Sequence, residues 1–325
     1  MSHKVDLRKL VLINLDFDIW SGQTKLQPSD LKKVSAEDLP PETLASLGSK
    51  RICSPEHLKS FHKLKARARR AVLEHGRPFM GGFLYPADLA VQIEQRLIKI
   101  EHKFITAKDT FVNGYEAAVQ SWMEENPEYA EVIRDAALSR AEVAERIKFD
   151  FQIIEVAPVH SEEAIQRFDT KVRGVGEELI DEISDKANEF LEKYLLGRSS
   201  VSTQTKATLI NMRDKVKALS FLNGRLAPMG VLLDDMILGY AAFSGSKHVT
   251  GDHFLKILVS ALVLSDREKI ARYADGTLDL KALQEKIAEQ TEFSESEQPT
   301  NEETQMEDPE DTASEAIPEE QDMFF

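Results

Sequence analysis

Apolar residues recur every three or four positions along two long stretches, and every second position along two short ones. In the first long stretch the apolar set is Ile93, Leu97, Ile100, Phe104, Ala107, Phe111, Tyr115, Ala118 and Trp122. This spacing predicts one helix from Pro86 to about Glu125 with a single apolar face, roughly 60 Å long at about 1.5 Å per residue. Pro86 suits a first helical turn, where its missing N–H costs nothing, and Asn126-Pro127 ends the helix. The second stripe is Ile165, Phe168, Val172, Val175, Leu179, Ile183, Ala187, Phe190 and Tyr194, with Gly197 as a C-cap. Two stripes of similar length predict a long antiparallel helical hairpin, 86–125 against 161–196.

Period two marks the strands. Leu15, Phe17 and Ile19 alternate with Asp16 and Asp18, and Phe149, Phe151 and Ile153 alternate in the same way. With an extended segment around Gly81-Gly82, they predict a small sheet from 9–20, 79–85 and 148–157. Ser21-Gly22 reads as a turn, and 27–54 as irregular with short helical turns at most. Shorter helices are expected at 55–75, twice within 128–147 with Ser139 capping the second, and at about 204–219, 225–241, 251–264 and 277–290. The fold class is mainly α with a small β-sheet (α+β), ending in a C-terminal helical bundle. The expected organisation is a strand, basic-helix and long-helix lobe at 1–160, a C-terminal helical lobe at 161–291, and a disordered acidic tail at 292–325.

Charge changes this picture in two places. The 325-residue chain carries a net charge of −15, but 13 of its acidic residues fall after Thr291, where there is no Lys or Arg. The remainder sets 43 acidic residues against 41 basic ones, so a nearly neutral body carries an acidic end. Ser, Thr, Glu, Asp, Gln and Pro dominate that end, a composition that cannot bury a core. Yet it closes on Asp322, Met323, Phe324 and Phe325. A merely solvating tail has no use for exposed phenylalanines, so this tip is a candidate docking peptide for a pocket with an apolar floor and a basic rim; a solubilising end or a degradation tag is the alternative.

The second place is the helix at 55–75. Leu58, Phe61, Leu64, Ala68 and Val72 form its apolar side. Lys59, Lys63, Arg67 and Arg70 line the other, with Lys65 and Arg69 beside them. Like charges at this spacing cost helix stability, so something acidic is expected to answer them. These six are the candidate nucleic-acid-binding residues; a solvated or internally paired surface is the plainer alternative.

Nothing in the chain marks an enzyme. Gly239–Lys247 has the wrong spacing for a phosphate-binding loop, and Gly174-Val175-Gly176 sits in mid-helix after no strand. His248, Asp252 and His253 lack the partners of a metal site, so no metal or cofactor is assigned. The carboxylates at 177–185 read as a solvated face or as partners of the basic helix. Cys53 has cationic neighbours, Lys50 and Arg51, but no sequence-local partner for catalysis, and reads as an inert thiol. A lone cysteine also fits a reducing, cytoplasmic setting. No apolar run approaches a membrane span, and the N-terminus predicts no signal peptide.

The last ten or so residues resemble the C-terminal tips of bacterial single-stranded DNA-binding proteins, which are acidic, end in phenylalanine and recruit DNA-processing enzymes. The ending here is Phe-Phe rather than Pro-Phe, and the body shows no sign of the barrel those proteins use. The stretches INLDFDIWSGQTKL (13–26), LASLGSKRICSPEHLKSF (44–61), GRPFMGGFLYP (76–86) and DKVKALSFLNGRLAPM (214–229) carry another resemblance. Over 7–275 the chain resembles domain-of-unknown-function family 3150 of proteobacteria, their phages and integrative elements. That resemblance implies neighbours such as MoxR-type ATPases, von Willebrand factor A proteins or phage recombination enzymes, and carries over no functional residues. The first expectation is a non-catalytic accessory protein of phage or mobile-element DNA metabolism. It would bind nucleic acid, with single-stranded DNA as a candidate ligand, through the basic helix and recruit a DNA-processing enzyme through the tail. The alternative is a helical adaptor or client of a MoxR-type AAA+ ATPase with no nucleic-acid role.

Overall fold

The computed structural model describes residues 6–31, 45–157, 161–243 and 246–296. In chain order these form β1 (Leu10–Asp18), β2 (Gln23–Lys25), β3 (Ser49–Arg51), α1 (Lys59–Leu73), β4 (Arg77–Phe79), β5 (Gly82–Pro86) and α2 (Ala90–Glu125). Then come α3 (Ala130–Ala136), α4 (Arg140–Glu145), β6 (Lys148–Glu155), α5 (Glu162–Tyr194), β7 (Ser200–Ser202) and α6 (Lys206–Ala218). The described chain ends with α7 (Leu226–Ala241), β8 (His248–Thr250), α8 (Gly251–Leu264), α9 (Arg267–Ala274) and α10 (Leu280–Ser296). The fold is mainly α with a small β-sheet, as the periodicities predict. Contacts divide the chain after Gln284, leaving all of the sheet and α1 to α9 in the first unit.

The sheet organises that unit. Its strands are antiparallel in the order β4-β5-β1-β6. Alternation sends the two faces of β1 to two separate apolar clusters. Val11, Ile13, Leu15 and Phe17 join Phe83, Tyr85, Phe149, Phe151 and Ile153 in the cluster that holds the apolar sides of α1 and α2. Leu10, Leu12, Phe79 and Leu84 join the other, with α5 to α9. Phe17 pairs with Phe149 across the strands and stacks on it, ring centroids 4.0 Å apart. The β4–β5 hairpin turns through Met80 and Gly81, both at positive φ, in the backbone geometry that suits a twisted hairpin.

The expected helical hairpin is not what forms. α2 (expected over 86–125) packs on α1, α3, α4 and β6, whereas α5 (expected over 161–196) packs on α8, α9 and β4. Both stripes are buried, but in different clusters on opposite faces of the sheet. A stripe at helical spacing reports that a face is covered; it carries no information on what covers it. Pro86 also differs from expectation. It closes β5 in an extended conformation, and the helix opens one turn later through Ala87–Leu89. Within the stretch expected to be irregular, β3 pairs with β2. Two three-residue strands, β7 and β8, and the short helix α9 lie outside the expected elements as well.

Some local signals act as the chemistry requires. Gly176 packs α5 against the 222–223 segment: a Cβ there would lie 3.2 Å from Leu222 and 3.1 Å from Asn223. Gly174 meets no such neighbour within 4 Å. Ser139 caps α4 in a reciprocal box. Its Oγ accepts from the Glu142 backbone N–H, and the Glu142 carboxylate accepts from the Ser139 N–H at 2.9 Å. A six-residue helix depends heavily on its ends, so Ser139→Ala should cost about 1 kcal/mol. The urea midpoint measures it; an unmoved midpoint would mean that burial of Val143 alone holds α4.

Candidate nucleic-acid interface

α1 is rotated by its apolar side. Phe61 is fully buried, its ring edge-on to Phe104 at 5.1 Å and to Phe111 at 6.0 Å. Ala68, Ala71 and Val72 are buried further along the helix, which fixes it against α2 and the sheet. The opposite side must then face solvent. Lys59, Lys63, Lys65, Arg67, Arg69 and Arg70 are all exposed.

Lys59 pairs with Glu56 at 2.6 Å. The other five cations make no ion pair among the described residues. Of the five carboxylates at 177–185, read as a solvated face or as partners of the basic helix, four are engaged elsewhere and Asp185 is exposed. Glu177 and Asp181 hold Arg267 at 2.8 and 3.0 Å. Glu178 accepts from Arg77 at 3.3 Å. Glu182 takes Arg77, Lys186 and Lys215 together. Beyond Lys59, the basic stripe is therefore uncompensated among the described residues and is not half of a salt-bridge ladder with α5.

Three further cations extend it. Arg96, Lys99 and Lys103 fall at steps of three and four on the polar side of α2 and are exposed. With Arg67 and His102 they line a trough of about 330 Å³ between α1 and α2. Arg96 bonds Glu74. Lys99 and Lys103 have no ion pair among the described residues. Toward the other end of the same helix pair lies a groove of about 530 Å³, lined by His57, Ser60, Phe111, Gly114, Ala117 and Ser121 and by no Lys or Arg. The trough is thus lined by cations and the groove is not. Arg96, Lys99 and Lys103 recur at a spacing visible in the sequence; the apolar stripe of α2 alone does not reveal them.

Such a surface can donate charge-assisted hydrogen bonds to phosphate oxygens. Chemistry at the other candidates is weaker. Cys53 is buried, and burial pushes its thiol up to about 11, so the reactive thiolate is scarce near neutrality. The His253 ring lies edge-on to Phe243 at 5.4 Å. Among the described residues no three His, Cys, Asp or Glu side chains gather as metal ligands would. Nor is any described helix long and apolar enough to cross a membrane. The tail residues Asp322, Met323, Phe324 and Phe325 lie outside the described residues.

No curated protein and no solved structure matches the chain. One family model does, over residues 7–266, and it spans the sheet, the basic helix and the helices through α8. The chain belongs to the family described as "Protein of unknown function (DUF3150)".

Proposed function

We propose that this protein is an accessory factor of phage or mobile-element DNA metabolism. It binds single-stranded nucleic acid through the basic face of α1 and α2, and recruits a DNA-processing partner through its acidic tail. The observation that carries this reading is the set of five exposed α1 cations without ion pairs among the described residues, of which Lys63, Arg67 and Arg70 form one row and Arg67 meets Lys99 and Lys103 in the trough. Surface cations are usually scattered among acids. Here Lys63, Arg67 and Arg70 share one side of α1, with Lys99 and Lys103 near Arg67 on α2, and they raise the local field, which favours a polyanion. The tail contributes the opposite charge and two terminal phenylalanines.

Fluorescence anisotropy of the full chain with a labelled oligonucleotide of about thirty nucleotides, over a salt series, tests it. Log affinity should fall against log salt with a slope of about −0.7 for each phosphate neutralised. Binding that does not respond to salt would refute a phosphate-based interface.

One observation favours the adaptor reading. Val91, Ile98 and Ile105 recur at steps of seven on the outer side of α2 and are 63%, 37% and 48% exposed. A β-branched row at that spacing suits a partner helix. Under this reading a neighbouring MoxR-type ATPase co-purifies despite nuclease treatment, and Ile98→Asp with Ile105→Asp abolishes the capture. Capture that survives both substitutions would leave the outer row without a role.

A further inference from the structure

The cations of α1 and α2 continue into a deeper cleft, where these helices face α5 and α6 across about 770 Å³. Arg67, Arg70 and Arg96 come from one side, Lys186 and Lys215 from the other. Glu74 is the one acid among the described residues that line it. Lys215 is 7% exposed, and its Nζ donates to the two oxygens of Glu182 at 2.8 and 3.0 Å. Glu182 also accepts from Lys186 at 2.7 Å and from Arg77. One carboxylate is thus shared by three cations.

The charge does not close. Counting bonded neighbours, Arg67, Arg70, Arg77, Arg96, Lys186 and Lys215 meet only Glu74, Glu178 and Glu182. Acceptors are short as well: the buried Nε of Arg77 has no hydrogen-bond partner. An excess of positive charge in a concave space focuses the field and calls for an anion of matching charge. Beside Lys215, α6 brings two neutral polar side chains, Thr208 and Asn211, both exposed. A hydroxyl and an amide beside a cationic floor suit a heterocyclic base next to its phosphates.

We propose that this cleft binds successive phosphates carrying a nucleobase, either a free nucleoside polyphosphate or nucleotides of a bound strand. The volume lies within the roughly 300–1,000 Å³ of small-molecule sites. The strand source rests on the nucleic-acid function proposed for α1 and α2; the free-nucleotide source does not.

The test uses the full chain and a fluorescent ATP analogue labelled on its ribose, with tripolyphosphate and a 15-mer of thymidylate as competitors. Lys186→Gln is the cleft variant, because Lys186 is exposed and lies away from α1. Lys63→Gln is the control on the outer face of α1. Saturable binding of the analogue, about tenfold weaker in Lys186→Gln and unchanged in Lys63→Gln, is expected. Displacement of the analogue by tripolyphosphate and not by the 15-mer identifies a free nucleoside polyphosphate as the source. A 15-mer that binds, with Lys186→Gln weakening it while the analogue does not bind, identifies a strand. Analogue binding indifferent to Lys186→Gln overturns the proposal. So does failure of the analogue together with 15-mer binding untouched by Lys186→Gln. Loss of 15-mer binding in Lys63→Gln under those conditions would leave the nucleic-acid reading standing without the cleft.

Discussion

Replacing Lys63, Arg67 and Arg70 together by alanine should weaken binding to single-stranded DNA by about two orders of magnitude at low salt. Each contact from a cation to a phosphate is worth about 1 kcal/mol or more, and about 1.4 kcal/mol is tenfold in affinity. Three lost contacts should also make the salt slope shallower by about 2. Stability should move the other way if at all. The three side chains are exposed, and none makes an ion pair among the described residues. Alanine is the better helix former, and the substitutions relieve like-charge repulsion at steps of three and four. A melting temperature at or above that of the parent, with binding lost, would separate the interface from the fold. Unchanged binding with an unchanged salt slope would mean that α1 is not the contact surface.

Adding Lys99→Ala and Lys103→Ala should deepen the loss, because the trough places them beside Arg67. These two were legible in the sequence in a way that the trough was not. Their spacing assigns them to the polar side of α2, as that of Lys63 and Arg67 assigns those to the polar side of α1. What periodicity cannot supply is that the two polar sides meet. That depends on Phe61 seating between Phe104 and Phe111, contacts between residues more than forty positions apart in the chain.

The hairpin expectation failed for the same reason. Ile93 to Trp122 and Ile165 to Tyr194 are equally good apolar stripes, and length alone suggested pairing them. The deciding information was in β1. Its odd positions, Val11, Ile13, Leu15 and Phe17, are apolar, but so are Leu10 and Leu12 at its even positions. A strand apolar on both faces at its start needs cover on both sides, and each long helix joins the cluster on one of them. Three-residue strands such as β3, β7 and β8 carry too few side chains for a period to register. The turn chemistry did register: Ser139 caps as its position suggests, and Gly197 takes a positive φ after α5.

The largest single-site loss of stability should come from Glu182→Gln. Burial raises the cost of its negative charge, but hydrogen bonds and charges from Lys186 and Lys215 outweigh that and hold the carboxyl down at about 2. For Lys215, burial dominates instead, and its pKa is lowered despite the bond to Glu182. The ammonium is thus poorly solvated and depends on this partner. Removing the charge leaves Lys215 buried against an amide, and a broken buried pair costs about 3 kcal/mol. Part of that is tempered by Lys186, whose side chain is 47% exposed and can turn to water. Acid should reproduce the effect in the parent chain. A carboxyl depressed from an ordinary 4.5 to about 2 contributes stability that is complete above 4.5 and lost as pH falls through about 2. Chemical denaturation between about pH 5 and about pH 2 should therefore show a fall in the parent that is shallower in Glu182→Gln. Lys215→Met on top of Glu182→Gln should restore much of the loss, since removing both partners leaves no buried unpaired charge. A double variant no better than the single one would show that Glu182 supports the fold through Arg77 rather than through Lys215.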